Sequence, residues 1–265
     1  MKTKMTKSWI LGMALLLMAA GPAIAGQTVN ESVDVGRGAS ISIENIVGSV
    51  RVVGSSGSTV EISGTLGDDV EELLVEKHGN RLEISVELPE GDHNRDLDAE
   101  ADLVIHVPFD SELEVETISA MIEVSEVRGE MNLESISGSI DVDGELSAIE
   151  LSTISGEITV ASGSSLQEGS FESISGSIEC DADLSDNGEF AFETVSGNIT
   201  VSVSRGFSAE WDVETFSGEI DNDLGPGAER TSKYAPGREL SFTTGGGGAE
   251  VSVESLSGRV SIREN

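Results

Sequence analysis

The residues best equipped for chemistry in this chain are its carboxylates. One set recurs directly ahead of a Ser or Thr: Glu116, Glu134, Glu172, Glu193, Glu214 and Glu254, with Ser152 standing in once. Stacked at a strand spacing of ~4.8 Å, two such carboxylates repel by ~0.9 kcal/mol in bulk water and several times that at an effective dielectric of ~20. A ladder of this kind must splay, take up protons or hold cations. A second set, Asp141, Asp143, Asp181, Asp183, Asp186, Asp221 and Asp223, falls just downstream, where oxygen-rich turns suit Ca²⁺. The candidate cation ligands are Glu134, Glu172, Glu193, Glu214, Asp181 and Asp183. The plainer alternatives are a solvated acidic face and turn-forming aspartates. No EF-hand loop and no glycine-rich Ca²⁺ nonapeptide is present. The expectation is no dedicated cofactor, with Ca²⁺ or other cations weakly held.

Other chemistry is sparse. His78, His93 and His106 are scattered without metal-ligand spacing. No Gly-x-Ser-x-Gly elbow and no phosphate-binding loop occurs. Cys180 is the only cysteine, so no internal disulfide forms; it shares a column with Val142, Val160 and Val201, as a small buried residue would. Carboxylate pairs at glycosidase spacing are inevitable in so acidic a chain and therefore uninformative. A carbohydrate-active β-helix, lyase or hydrolase, is the enzyme alternative. It would need Trp211 or Tyr234 as a sugar platform beside clustered carboxylates.

The elements that position these groups are set by one repeated phrase: Ser or Thr, an apolar residue, Ser-Gly, one residue, then Ile or Val. It runs Ser135–Ile140, Thr153–Ile158, Ser173–Ile178, Thr194–Ile199, Thr215–Ile220 and Ser255–Val260, with degenerate copies at Asn45–Val50 and Thr117–Ile122. The glycine position steps through Ala120, Gly138, Gly156, Gly176, Gly197, Gly218 and Gly258. Strict alternation on both sides of it (Leu133-Glu134-Ser135, then Ile140-Asp141-Val142) specifies two short strands joined at a corner. The glycine supplies either a positive φ or room for the next coil. A lone coil of ~20 residues buries perhaps five apolar side chains and loses to backbone entropy, so coils must stack. The fold class is all-β, a single-domain parallel β-solenoid with coils of about 18–21 residues. The row Ile118, Ile136, Ile154, Ile174, Val195, Phe216 and Leu256 turns into the core if the corner begins there, which its regularity favours; otherwise it forms an apolar stripe.

Residues 26–110 alternate less regularly and read as the first coils, 111–223 as regular repeats, 224–248 as an insertion with a Gly-rich turn, and 249–265 as the C-terminal coil. Leu88–Ala99 and Leu224–Arg238 read as loops, and Asp68–Glu76 as the one short helical turn. Residues 1–25 read as an export signal: Lys2, Lys4 and Lys7, an apolar stretch from Ile10 to Ala20, and a small-residue cleavage site at Ala23-Ile24-Ala25. Removing it takes three lysines and no acid, moving the net charge from −34 to −37. Such a chain repels nucleic acid and anionic headgroups and attracts cations or basic partners. The same acidity suits a high-salt environment. No second apolar run of spanning length follows.

The reiterated ESISGSI, STISGEI, ETVSGNI and ETFSGEI, the strand ending Val107-Pro108 and the closing GGGGAEVSVESLSGRVSI (Gly245–Ile262) resemble the toast-rack, or putative-adhesin, domain family of bacterial and archaeal envelopes. The resemblance implies a β-solenoid without established enzymatic activity, a periplasmic or extracellular location, and a role as adhesin, envelope scaffold or stress-sensing module. It supplies no catalytic residues. The partner would be an envelope or extracellular protein or polysaccharide, with end-to-end self-association as a further option through an uncapped coil.

Overall fold

Period-two alternation becomes strand wherever a neighbouring rung is available to accept the apolar face. The computed structural model describes residues 26–89, 99–231 and 236–265. The export segment, His93, Tyr234 and most of the Leu88–Ala99 loop lie outside the described residues. Those described form nineteen strands and no helix. The first seven are β1 (Gln27–Asp34), β2 (Ser40–Ser55), β3 (Thr59–Leu66), β4 (Glu72–His78), β5 (Arg81–Glu87), β6 (Glu100–Pro108) and β7 (Glu112–Ser125). The repeats supply β8 (Met131–Ser135), β9 (Ile140–Gly144), β10 (Ala148–Thr153), β11 (Ile158–Ser173), β12 (Ile178–Ser196), β13 (Ile199–Val203), β14 (Ala209–Thr215) and β15 (Glu219–Asn222). The chain closes with β16 (Glu229–Arg230), β17 (Arg238–Thr243), β18 (Ala249–Ser257) and β19 (Arg259–Glu264).

All nineteen belong to one sheet, and its central strands stack as two parallel columns. The upstream column runs β5, 40–45 of β2, 112–117 of β7, β8, β10, 168–173 of β11, 189–194 of β12, β18 and β14. The downstream column runs β6, 47–55 of β2, 119–125 of β7, β9, 158–162 of β11, 178–181 of β12, β13, β19 and β15. Ile140, Ile158, Ile178, Ile199, Val260 and Ile220 pair in one unbroken line. Leu133, Leu151, Phe171 and Phe192 line the upstream leg, and Leu146, Leu166 and Leu184 close the core from the return segments. The core is all-β, parallel and solenoid-like.

Chain order and stacking order differ at both ends. The β2 coil sits between the β5–β6 coil and β7, and the β18–β19 coil sits between β12–β13 and β14–β15. The coil that comes last in the chain, β18–β19, is therefore interior to the stack. Residues 26–110 are not a plain run of coils. Antiparallel strands cover the ends instead: β3 on β6, β1 on β3, β4 on β5, β17 on β14 and β16 on β17. Alternation alone does not set strand direction; the turns do. Gly79 takes φ 70° in the Gly79-Asn80 turn, a two-residue link that returns the chain antiparallel. This hairpin also corrects the helical reading of Asp68–Glu76. From Glu72 onward the segment is strand, because Leu73 and Val75 face the core edge opposite Val86 and Ile84.

The corner glycines resolve the choice between conformational freedom and close approach. None of Gly138, Gly156, Gly176, Gly197, Gly218 and Gly258 is among the positive-φ residues. A Cβ at Gly156 would stand 1.9 Å from the Gly138 carbonyl oxygen, and one at Gly176 1.6 Å from that of Gly156. The requirement is space. Ala120 is tolerated because β7 runs unbroken through its corner and pairs Ala120 with Gly48, so the chain never makes the tight Ser-Gly bend there.

Cys180 lies fully buried between Val160 and Val201. Burial, with Asp181 adding to it, pushes its thiol up to about 12. The native protein should therefore resist alkylation at neutral pH and react promptly once unfolded, since only the thiolate attacks. Thiol titration with and without denaturant checks this; rapid labelling of the folded protein would contradict it.

Candidate functional site

Each rung meets the corner through the same local sequence, and its geometry follows from backbone ladders that continue past the strand ends. Ile136 N donates to Thr117 O (3.1 Å) and Ser137 N to Ile118 O (2.8 Å); Ser155 N donates to Ile136 O (3.0 Å) and Ser175 N to Ile154 O (2.9 Å). The chain thus stays extended one residue beyond the Ser/Thr. By alternation that next residue points outward. The Ser/Thr itself turns inward, and at two rungs it ties the bend: Gly138 N donates to Ser135 Oγ (2.7 Å), and Gly156 N to Thr153 Oγ1 (2.9 Å), whereas the buried Ser173, Thr215 and Ser255 hydroxyls have no hydrogen-bond partner.

The expectation that the third column joins the core is therefore corrected. Ile118, Ile136, Ile154, Ile174, Val195, Phe216 and Leu256 are 46–64% exposed. The bend begins after them, at Ser-Gly, not at them. The Glu column and this apolar column flank the buried Ser/Thr row, and the three together line a groove of about 1180 Å³ along the stack. The degenerate first copy contributes Glu44, Asn45 and Ile46, which the sequence reading had not placed on this face. In space the rungs run from Glu44 through Glu116, Glu134, Ser152, Glu172, Glu193 and Glu254 to Glu214. Eight rungs at ~4.8 Å give a length of ~34 Å. Ser85, Val86, Glu87 and Leu88 line one end; Thr231, Gly237 and Arg238 line the other.

The structure brings together only part of the candidate cation set. Glu134, Glu172, Glu193 and Glu214 line the groove, whereas Asp181 and Asp183 lie near the start of β12, outside it. Most of the second acidic set is strand rather than turn: Asp141 and Asp143 lie in β9, Asp181, Asp183 and Asp186 in β12, and Asp221 in β15. Several have partners of their own. Asp181 accepts from Asn265 Nδ2 (2.5 Å), Asp186 from Ser208 N (2.9 Å), and Asp221 and Asp223 from Arg263 (2.9 Å each). Among the described residues, a compact His/carboxylate cluster does occur on the β4–β5 hairpin: Glu76, His78 and Glu83, all surface groups. Spacing along the sequence hid it, because the antiparallel pairing of Glu76 with Glu83 creates it.

Carboxylate crowding on the outer faces has a titration signature. Glu116 is held above its ordinary value by partial burial, then by Glu134, Glu44 and Glu114; Asp141 is raised by burial, then by Glu123 and Asp143. A carboxylate with a raised folded pKa binds its proton more tightly when folded. Its stabilising contribution is complete below the unfolded value and disappears as pH rises through the folded one. Melting temperature should therefore climb as pH falls from neutrality toward the carboxylate range, and climb at neutral pH with added salt or Ca²⁺. Glu116→Gln should flatten the pH response. A melting temperature indifferent to salt and Ca²⁺ and falling steadily with acid would contradict this.

The Toastrack DUF4097 family model matches residues 39–263, nearly the whole described chain. The chain belongs to this family. Among solved structures, this Toastrack chain is similar to a putative adhesin from Bacteroides fragilis, at 14% identity and TM-score 0.51, covering 89% of this chain and 97% of that one. It is also similar to a putative cell adhesion protein from Clostridium sporogenes (12% identity, TM-score 0.42, 90% and 100% covered). A putative lipid binding protein from Parabacteroides distasonis is comparable (15% identity, TM-score 0.40, 91% and 97% covered). The Bacteroides fragilis structure supports a shared fold. No curated protein matches the Toastrack chain. Among its described residues, no helix is long and apolar enough to cross a membrane.

Proposed function

We propose that this Toastrack chain is an exported, non-enzymatic envelope protein. It works as an adhesin or scaffold by holding an extended ligand along the corner groove. The observation that carries this reading is the exposed apolar column from Ile118 to Phe216, aligned rung by rung beside the Glu column. Soluble proteins seldom expose so continuous an apolar stripe unless something covers it. The adhesion-related names of the Clostridium sporogenes and Bacteroides fragilis proteins accord with a binding role. The carbohydrate-active alternative gains no support from Trp211, which is buried and stacked on Phe242 (5.6 Å between centroids) and so offers no sugar platform. In this reading Glu134, Glu172, Glu193 and Glu214 hold cations loosely when the groove is empty.

The test is retention of envelope-surface components on the immobilised protein, with and without Ca²⁺. Protein carrying Ile136→Ser, Ile154→Ser and Ile174→Ser is run beside the wild type. Loss of retention in the variant supports the groove as the working surface. Equal retention, or retention that follows the β4–β5 hairpin instead, overturns it.

A further inference from the structure

The groove has two unlike walls. On each strand the Glu and the apolar residue are two positions apart, so the two columns run parallel at about 6.8 Å. That spacing is narrower than an α-helix, whose diameter with side chains is about 10–12 Å. It suits a single extended chain. The groove also crosses the strands at right angles, and the backbone groups at the corner are already spent rung to rung. A ligand here finds no free sheet edge and must be held through its side chains. An extended polypeptide sends successive side chains to opposite sides. One side would meet Glu134, Glu172 and Glu193; the other would meet Ile136, Ile174 and Val195.

We infer that the groove binds an extended polypeptide segment of about ten residues in which basic and apolar side chains alternate. This deepens, and rests on, the groove reading given above. Charge selects the occupant. Glu lines seven of the eight rungs, Arg238 is the one cation among the described lining residues, and the chain carries −34 overall. Crowded carboxylates lining one wall favour a row of Lys or Arg, while an anionic lipid or a second copy of this acidic chain is repelled. An acyl chain would cover the apolar wall and leave the carboxylates dehydrated without partners. The two repeats differ in pitch: about 6.8 Å between like side chains of the ligand, about 4.8 Å between rungs. They coincide only over the full groove, so long flexible basic side chains must bridge the mismatch. Recognition then follows a pattern and not a fixed motif.

The test uses fluorescence anisotropy with protein expressed from the full chain and a labelled ten-residue peptide alternating Lys and Val. The expected result is binding at least about tenfold tighter than for a block peptide of five Lys followed by five Val, or for alternating Lys and Ser. Raising NaCl from low to high concentration should weaken it by about tenfold. Glu134→Gln with Glu172→Gln and Glu193→Gln should cost about tenfold, and so should Ile136→Ser with Ile154→Ser and Ile174→Ser. An unchanged far-UV spectrum and a melting temperature no lower than that of the wild type show that each variant is folded. Equal binding of all three peptides would reduce the effect to diffuse charge and overturn the inference. So would groove-dependent sedimentation with zwitterionic vesicles, or a concentration-dependent dimer abolished by the Ile variant. If envelope components depend on the groove while the alternating peptide does not bind, the adhesin reading stands and this inference alone fails.

Discussion

Gly176→Ala should lower the melting temperature by about 10 °C, corresponding to a loss of about 4 kcal/mol. Few single methyl groups cost so much. A Cβ at this position would lie 1.6 Å from the Gly156 carbonyl oxygen and 2.7 Å from its carbon, and both are backbone atoms of the adjacent rung. A flexible side chain would move aside, but a carbonyl locked in a parallel ladder cannot. Ser175 N and Ile178 N donate to neighbouring rungs on either side, so separating two coils breaks pairing along both columns. Gly163→Ala supplies the contrast, since a Cβ there meets nothing within 4 Å. It should change the melting temperature by little. Thermal denaturation of the two variants side by side distinguishes crowding from general loss of glycine, and equal effects would refute the account.

The second large effect is expected at Phe171. Its ring is fully buried and stacks on Phe192 at 4.5 Å between centroids with planes 3° apart. Phe171→Ala should cost about 3–5 kcal/mol, through lost transfer energy plus the cavity left in a rigid core. Gly169 sharpens the test. A Cβ at Gly169 would fall 2.8 Å from Phe171 Cε2, because the ring lies over that glycine. Gly169→Ala should therefore be damaging in the wild type and nearly neutral once Phe171 is Ala. Chemical denaturation of both single variants and the pair measures this coupling. Simple additivity would remove it.

The rungs themselves were legible in the sequence, because Ile140, Ile158, Ile178 and Ile199 sit at a constant offset from a glycine that only close stacking explains. The same is true of Cys180, whose column neighbours are valines. The groove was half legible. Its Glu column was plain, but the outward turn of Ile136 and its equivalents depends on where the bend starts. That is set by the Ile136 and Ser137 amides bonding the previous rung, a tertiary fact that alternation does not encode. The end covers were illegible for a related reason: Val60–Ile62 alternates just as a coil strand does, and only its antiparallel pairing with Ile105 and its neighbours distinguishes it. The Glu76–His78–Glu83 cluster was hidden likewise behind the hairpin register.

The interleaving of β18 and β19 ahead of β14 and β15 has a consequence for biosynthesis. Residues 209–222 emerge before the rung that joins them to the rest of the stack exists, and gain it only when residues 249–264 arrive. Every earlier intermediate therefore lacks its penultimate layer. A chain that crosses a membrane from its N-terminus onward would stay loose at its trailing end until the last residues clear the exit. A product truncated there would expose unfinished edges and be easy prey for proteases.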